Sequence, residues 1–315
     1  MRIFLLVLIF MQQLGAHMMH KETVCQEWIE EQVSPFDELM ISWNAARPEK
    51  GKYLIYASVK IEEQWTPWLL YSEWGKEGQA SFSNTADGVK VYQDALEVLE
   101  GKKATAFQIR TAAEEGADVN GIWALHVYTN GDRLAKETPE LPTVLLDVEG
   151  LSQMVLPHPR HKDLCSPTST AIVTRFLSKN QDIDPNEFAQ EAWDGGFDIY
   201  GNWVFNVAAA ASKLGPKWHC WVERLNGFED LHARLMEGTP VIVSVRGPLP
   251  GSALPYAKGH LMVVKGYDAA DKRVLCLDPA FPEDEKTAVS YDLNDFMEAW
   301  NRRGRVAYVF HRAVY

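Results

Sequence analysis

The sequence lacks the short motifs that most directly announce a chemistry. It has no glycine-rich phosphate loop or dinucleotide fingerprint, no His-Glu-x-x-His zinc pair and no Gly-x-Ser-x-Gly elbow, so the commonest nucleotide, zinc-protease and serine-hydrolase readings have no motif to rest on. Positive charge is in short supply. Lys and Arg number 31 against 43 Asp and Glu, a net charge of −12. Nucleic acid needs a basic footprint and is therefore not an expected partner. Four cysteines in 315 residues are too few for a disulfide scaffold. No internal repeat or low-complexity tract is visible, which removes solenoids. Long apolar runs are missing as well, apart from Ile3 to Phe10 behind Arg2. That run falls short of the ~20 residues a bilayer span needs, so no membrane span is expected. It reads as the core of a signal peptide over residues 1–16, cleaved after Ala16, which would place the mature protein outside the cytoplasm; a true start at Met18 or Met19 is the competing reading.

What is present divides into two halves. From Val24 to Leu145 the chain reads as short strands. Ile55, Ala57, Val59 and Ile61 alternate with more polar neighbours, as do Phe107, Ile109 and Thr111, and then Trp123, Leu125 and Val127. Turn residues at 48–51, 84–88 and 130–132 separate them, so an antiparallel β-sandwich is expected over 24–145. The segment Glu137 to Pro142 carries two prolines and reads as a linker edge. From 146 to 315 the order changes to helices followed by strands, the pattern of an α+β domain. Asp184 and Pro185 open one helix, Asn202 to Leu214 forms another that stops at Gly215, and further helices are read at Phe228–Glu237 and Asp292–Arg302. Strands are expected at Val241–Val245, His260–Val264, Arg273–Leu277 and Val306–Phe310.

One cysteine stands in an unusual place. Cys165 precedes Ser166 and Pro167, read as N-cap and first helical residue, so its sulfur sits just ahead of a helix N-terminus. Unpaired N–H groups and the positive helix end favour a thiolate there, and a neighbouring imidazolium favours it further. Cys25, Cys220 and Cys276 read as small buried hydrophobes, or as disulfide partners in an exported chain. Nine histidines compete for the role of base. His17 and His20 lie at the processed end, His232 reads as surface on a helix, and His158 and His161 flank Pro159 in a loop, a weak metal pair without an acidic third ligand. His260 differs because it opens an otherwise apolar strand. The turn at 268–272 folds the next strand back, so that Asp278 lands nearly opposite His260, on the face shared with Met262, Val264, Val274 and Cys276. Asp278 could therefore hold the imidazole, although Asp-Pro also simply ends strands. Gln153 supplies a side-chain amide for an oxyanion, beside the Cys165 N–H.

With these residues in hand, the C-terminal half resembles the bacteriocin-processing-peptidase-like group of papain-fold cysteine peptidases. The matching stretches are Leu151-Ser-Gln-Met154, Cys165-Ser-Pro-Thr-Ser169, Gly238-Thr-Pro-Val-Ile242, Lys258-Gly-His260 through Asp268, and Leu277-Asp278-Pro-Ala280. The resemblance implies a nucleophile Cys165, a base His260, an orienting Asp278 and an oxyanion donor Gln153, with no cofactor and no metal. Two departures stand out: Ser166 where many members carry glycine, and a longer interval from Gln153 to Cys165. The tryptophan-bearing stretches 36–43, 65–68 and 74–75 resemble β-sandwich modules that precede such peptidases. The whole chain thus reads as multidomain, a β-sandwich followed by an α+β papain-like cysteine peptidase domain acting on a peptide or protein. Acyl transfer or amide cleavage on the same residues is one alternative, and an inert adhesion or scaffold protein is another. Tryptophan rows serve core packing or stacking on a glycan, and the sandwich admits either.

Overall fold

The computed structural model describes residues 17–22, 26–131 and 140–313, so the expected signal peptide, Cys25 and the first half of the proline-bearing linker edge lie outside the described residues. The N-terminal half consists of two antiparallel sheets. One runs in the order His17–Glu22, Ile122–Thr129, Glu38–Ala45, Ala95–Val98, Val89–Tyr92, Ser83–Ala86. The other runs Glu27–Glu30, Ala104–Glu114, Lys52–Ile61, Leu69–Gly75, Gln79–Ser81. The alternating residues read from the sequence, Ile55 through Ile61 and Phe107 through Thr111, point into the space between the sheets and are buried. The first strand begins at His17, ahead of the expected start at Val24, because it finds a free edge along Ile122–Thr129.

The C-terminal half is one antiparallel sheet with helices on both sides. Its order is Trp218–Arg224, Val306–Arg312, Val241–Val245, His260–Asp268, Arg273–Leu277, Ala288–Asp292, and Val144–Leu145 pairs with the far end of His260–Asp268. The helices are α1 (Cys165–Ser178), α2 (Pro185–Ala192), α3 (Trp203–Leu214), α4 (Phe228–Met236) and α5 (Leu293–Asn301). Asp184, Asn202 and Asp292 cap α2, α3 and α5 with their side chains, and Gly215 closes α3 at φ 73°. Alternation along the strands divides the core. Leu261, Val263 and Leu277 face the α1 and α3 side, whereas Met262, Val264, Val274 and Cys276 face α4 and α5. Among the described residues no helix is long and apolar enough to cross a membrane.

The two halves share one core. Glu38–Ala45 and Ile122–Thr129 are buried on nearly every residue, not on alternate ones, because their outer faces pack on α3 and on Trp218–Arg224. Polar groups that this contact buries are matched. The Asn44 amide donates to the Cys220 carbonyl and accepts from its N–H, Ser42 Oγ accepts from Val222, and Asp194 accepts from Ser81. Arg224 forms a two-pronged pair with Glu38, the geometry in which a guanidinium binds a carboxylate most strongly. Trp28, Trp43 and Trp74 are buried packing residues of the sandwich, while Trp65 and Trp68 are half-buried and Trp68 lies beneath the Arg110 guanidinium.

Candidate active site

α1 is short of apolar side chains at its start, yet residues 166–174 are all buried. Its hydroxyls make that tolerable. Thr170 and Thr174 donate to the carbonyls one turn back, Ser169 donates to the Leu261 carbonyl and Ser166 shares a hydrogen bond of 2.7 Å with the Tyr308 hydroxyl. Small side chains thus let the helix approach the strand His260–Asp268 closely. The helix begins one step earlier than the sequence suggests. Cys165 is its first residue and Leu164 its cap position, without a capping side chain. Ser166 therefore does not cap, and Pro167 stands third; proline is tolerated there because first-turn N–H groups have no intrahelical acceptor. Those N–H groups stay available to the sulfur, and that of Ser166 points at it.

His260 opens its strand opposite Val245, and the register Val263↔Leu277 places Asp278 across from Met262, two residues along the strand from the expected position opposite His260. The bulge between Val264 and Gly266 changes the count by one residue, and the turn, closed by the pair Asp268↔Arg273, sets the rest of the offset. The side chains still meet. His260 Nε2 lies 2.8 Å from Asp278 Oδ1, leaving Nδ1 to face the Cys165 sulfur, with which the ring is hydrogen-bonded. Cys165 is partly exposed, while His260 and Asp278 are buried.

Two tyrosines complete the carboxylate's shell. Tyr256 and Tyr291 donate to Asp278 Oδ2 at 2.6 and 2.7 Å, and the Ala280 N–H donates to Oδ1 at 3.0 Å. The Tyr256 ring also stacks on the imidazole, centroids 4.0 Å apart and planes within 11°. Burial and the Asp278 charge push both phenols far above their ordinary value, so they remain donors. Neither tyrosine was legible in the sequence as a site residue. Tyr256 lies in the aperiodic loop before His260, and Tyr291 sits on a strand, Ala288–Asp292, that the apolar pattern does not reveal.

The charges follow from this arrangement. Burial presses the His260 pKa down, but the Asp278 charge and hydrogen bond, with Cys165 behind them, lift it to about 10. Burial raises the Cys165 pKa, but its hydrogen bond and charge interaction with His260 and the N–H groups of Leu261 and Ser166 bring it below the ordinary thiol range. Asp278 also ends below its ordinary value, as His260 and the two phenols outweigh burial. A thiolate–imidazolium pair is the favoured state between the two shifted values.

Gln153 is buried beside this row, and its N–H donates to the Pro279 carbonyl. Both of its amide hydrogens, however, go to the carbonyls of His161 and Lys162 at 2.9 Å, while Oε1 has no partner. The structure brings Gln153 to the site without aiming a free donor at the sulfur. His158 and His161 do not converge. His158 Nδ1 accepts from Arg160, and among the described residues no cluster of His, Cys, Asp and Glu is arranged to hold a metal. Two histidines differ from their sequence reading. His232 is buried, with Nε2 against the Pro142 carbonyl at 2.7 Å, and His20 lies on the first strand against His126. Cys165, Cys220 and Cys276 are free thiols.

Comparison with known proteins bears on the C-terminal half. The model of the peptidase C39-like family matches residues 145–308. This chain belongs to that family. Among solved structures, the C39-like domain is similar to a protein from Bacillus anthracis described as a C39-like peptidase, at 20% identity over 54% of this chain and 99% of that one, TM-score 0.41. Xylellain, a cysteine protease from Xylella fastidiosa, is similar at 14% identity over 57% of this chain and 94% of its own, TM-score 0.35. No curated protein matches the chain.

Proposed function

We propose that this C39-like protein hydrolyses peptide bonds by thiol catalysis at Cys165. The observation that carries the proposal is the continuous hydrogen-bonded row from the sulfur of Cys165, a partly exposed residue, through a buried imidazole, to a wholly buried carboxylate. The thiolate attacks the scissile carbonyl and the peptide nitrogen leaves with the proton from His260 Nδ1. Water then adds to the thioester, its proton returning to the imidazole, and the acid is released. Asp278 keeps the ring oriented and its charge compensated throughout. The Cys165 N–H, at the uncapped start of α1, is the first donor for the oxyanion. Gln153 joins it once substrate draws its amide away from the carbonyls of His161 and Lys162, and its unpartnered Oε1 shows that its present hydrogen bonding is incomplete.

The decisive experiment pairs labelling with turnover. Wild type should react with iodoacetamide at Cys165 at neutral pH far faster than at buried Cys220 and Cys276, and should cleave a peptide mixture. Cys165→Ala should lose both while retaining its thermal midpoint. Cleavage that survives this substitution would remove the assignment. Products carrying an added amine in place of water would redirect it to acyl transfer.

A further inference from the structure

Around the strand that carries His260 the charge balance of the molecule reverses. Arg246, Lys258 and Arg303 lie on segments flanking Gly259-His260, and among the described residues none of them forms an ion pair. Two acidic groups in the neighbourhood are committed elsewhere. Glu38 pairs with Arg224 and Glu298 with Arg302, while Asp94, which accepts from the Trp203 N–H and is pushed up to about 7 by burial, is the nearby carboxylate whose charge acts on Arg303. Arg303 is the most confined of the three cations. Its Nε donates to Ser244 Oγ at 3.2 Å and its guanidinium lies 5.4 Å from the Trp203 ring centroid. It also lies against Gly259, where a methyl group would come within 3.5 Å of Nε. Burial disfavours its charge, Asp94 favours it, and Arg224 and Arg246 nearby disfavour it, so that its pKa ends below the ordinary guanidinium value.

The position relative to the sulfur follows from the sheet. Ser244 pairs with Leu261, whose N–H meets Cys165, and antiparallel neighbours are about 5 Å apart. Ser244 shares the α1 side of the sheet with Leu261, so the guanidinium stands on the order of 10 Å from the nucleophile, or about three residues of extended peptide.

We propose that Arg303, flanked by Arg246 and Lys258, is an anion subsite that binds a carboxylate side chain of the peptide substrate close to the scissile bond. A half-buried guanidinium with uncommitted N–H donors offers the two-pronged geometry that a carboxylate fits. The ring of Trp203 supplies an apolar wall for the methylene groups that carry it. This inference rests on the thiol-peptidase reading for its substrate, and it deepens that reading by naming a preference for acidic peptides.

The test uses the full-length Cys165→Ala protein and fluorescein-labelled peptide mixtures that differ only in carrying Glu or its isostere Gln. Anisotropy titrations should show the Glu peptides binding about tenfold or more tightly, the margin narrowing with added salt. Arg303→Gln should bring the two series together, Arg303→Lys should retain part of the difference, and Arg303→Glu should favour peptides carrying Lys. Arg110→Gln, on the distant sandwich surface, should leave the preference unchanged. Equal affinity for Glu and Gln peptides, no binding by either, or a preference that survives Arg303→Gln would overturn the subsite. Charge-selective binding without turnover by wild type would keep the subsite and remove the peptidase reading, and turnover blind to charge would do the reverse.

Discussion

His260 and His126 are both buried, 4% and 0% exposed, yet their charges are driven in opposite directions. His126 sits where the sandwich meets the C-terminal sheet, between His20 and His219, with Nε2 3.2 Å from Asn44 Oδ1. That oxygen already accepts from the Cys220 N–H, so it acts as an acceptor and the neutral His126 carries its proton on Nε2. Burial, then the charges of His20 and His219, hold the His126 pKa well below the ordinary value. At His260 the same burial is overcome by one carboxylate. Desolvation therefore does not decide a buried histidine's state; the partner does. One cluster is built to hold a charge near neutral pH, and the other to exclude it.

Asp278→Asn makes the first cluster resemble the second and should have the largest effect. With no anion behind it His260 is neutral near pH 7, and the thiolate loses its counter-ion. Turnover should fall by roughly 10³–10⁴-fold, as when the buried acid of a nucleophile–histidine–acid row is amidated. The pH dependence of iodoacetamide labelling should move towards that of an ordinary thiol. Labelling that remains fast at neutral pH would show that the helix N-terminus alone activates Cys165.

A smaller effect is expected from the phenols. Tyr256→Phe and Tyr291→Phe each leave Asp278 Oδ2 one donor, and together they leave none on a carboxylate that is 0% exposed. A hydrogen bond to a charged group is worth about 1.5–3 kcal/mol. Each single variant should lose only a few-fold in kcat, and the double variant about tenfold or more, with KM moving less. A double variant with wild-type kcat would show that His260 and the Ala280 N–H suffice to hold the carboxylate.

The reading of the sequence succeeded where chemistry and periodicity coincide. His260 stood out as a polar residue opening an apolar strand, and two-residue alternation put Asp278 on its face, a relation that survives because the net register offset is two residues, which returns each side chain to the same face. It failed where neighbours in space decide. His232 looked solvent-facing because nothing local announces that the Pro142 segment covers it, and His20 was read only as part of the processed end because nothing local announces that its strand pairs with Ile122–Thr129. Trp218–Arg224 went unread as a strand because it is buried against the sandwich on one side and its own core on the other, which erases alternation. Gln153 was found by residue type alone, and type says nothing of which carbonyls its amide already serves.

His260 has a raised pKa, so its contribution is fully present below about 6.5 and is lost as pH rises through about 10. His126 has a lowered pKa. The unfolded chain takes up a proton near pH 6.5 that the folded chain refuses, so stability falls as pH drops below that value. The groups facing His126 reinforce this, since His20, held at about 4, and His219 are also shifted down, His311 and Arg234 add positive charge, and the nearby carboxylate, Glu22 at 3.5 Å from His219, is exposed. His126→Gln keeps an amide donor for Asn44 and removes the titrating group. Its urea midpoint should change less between pH 7 and pH 5 than that of wild type, by up to about 1.4 kcal/mol per pH unit in unfolding free energy. Parallel pH profiles would mean that this histidine is protonated as readily in the folded protein as in the unfolded chain. The acid dependence of the join between the two halves would then fall to His20 and His219.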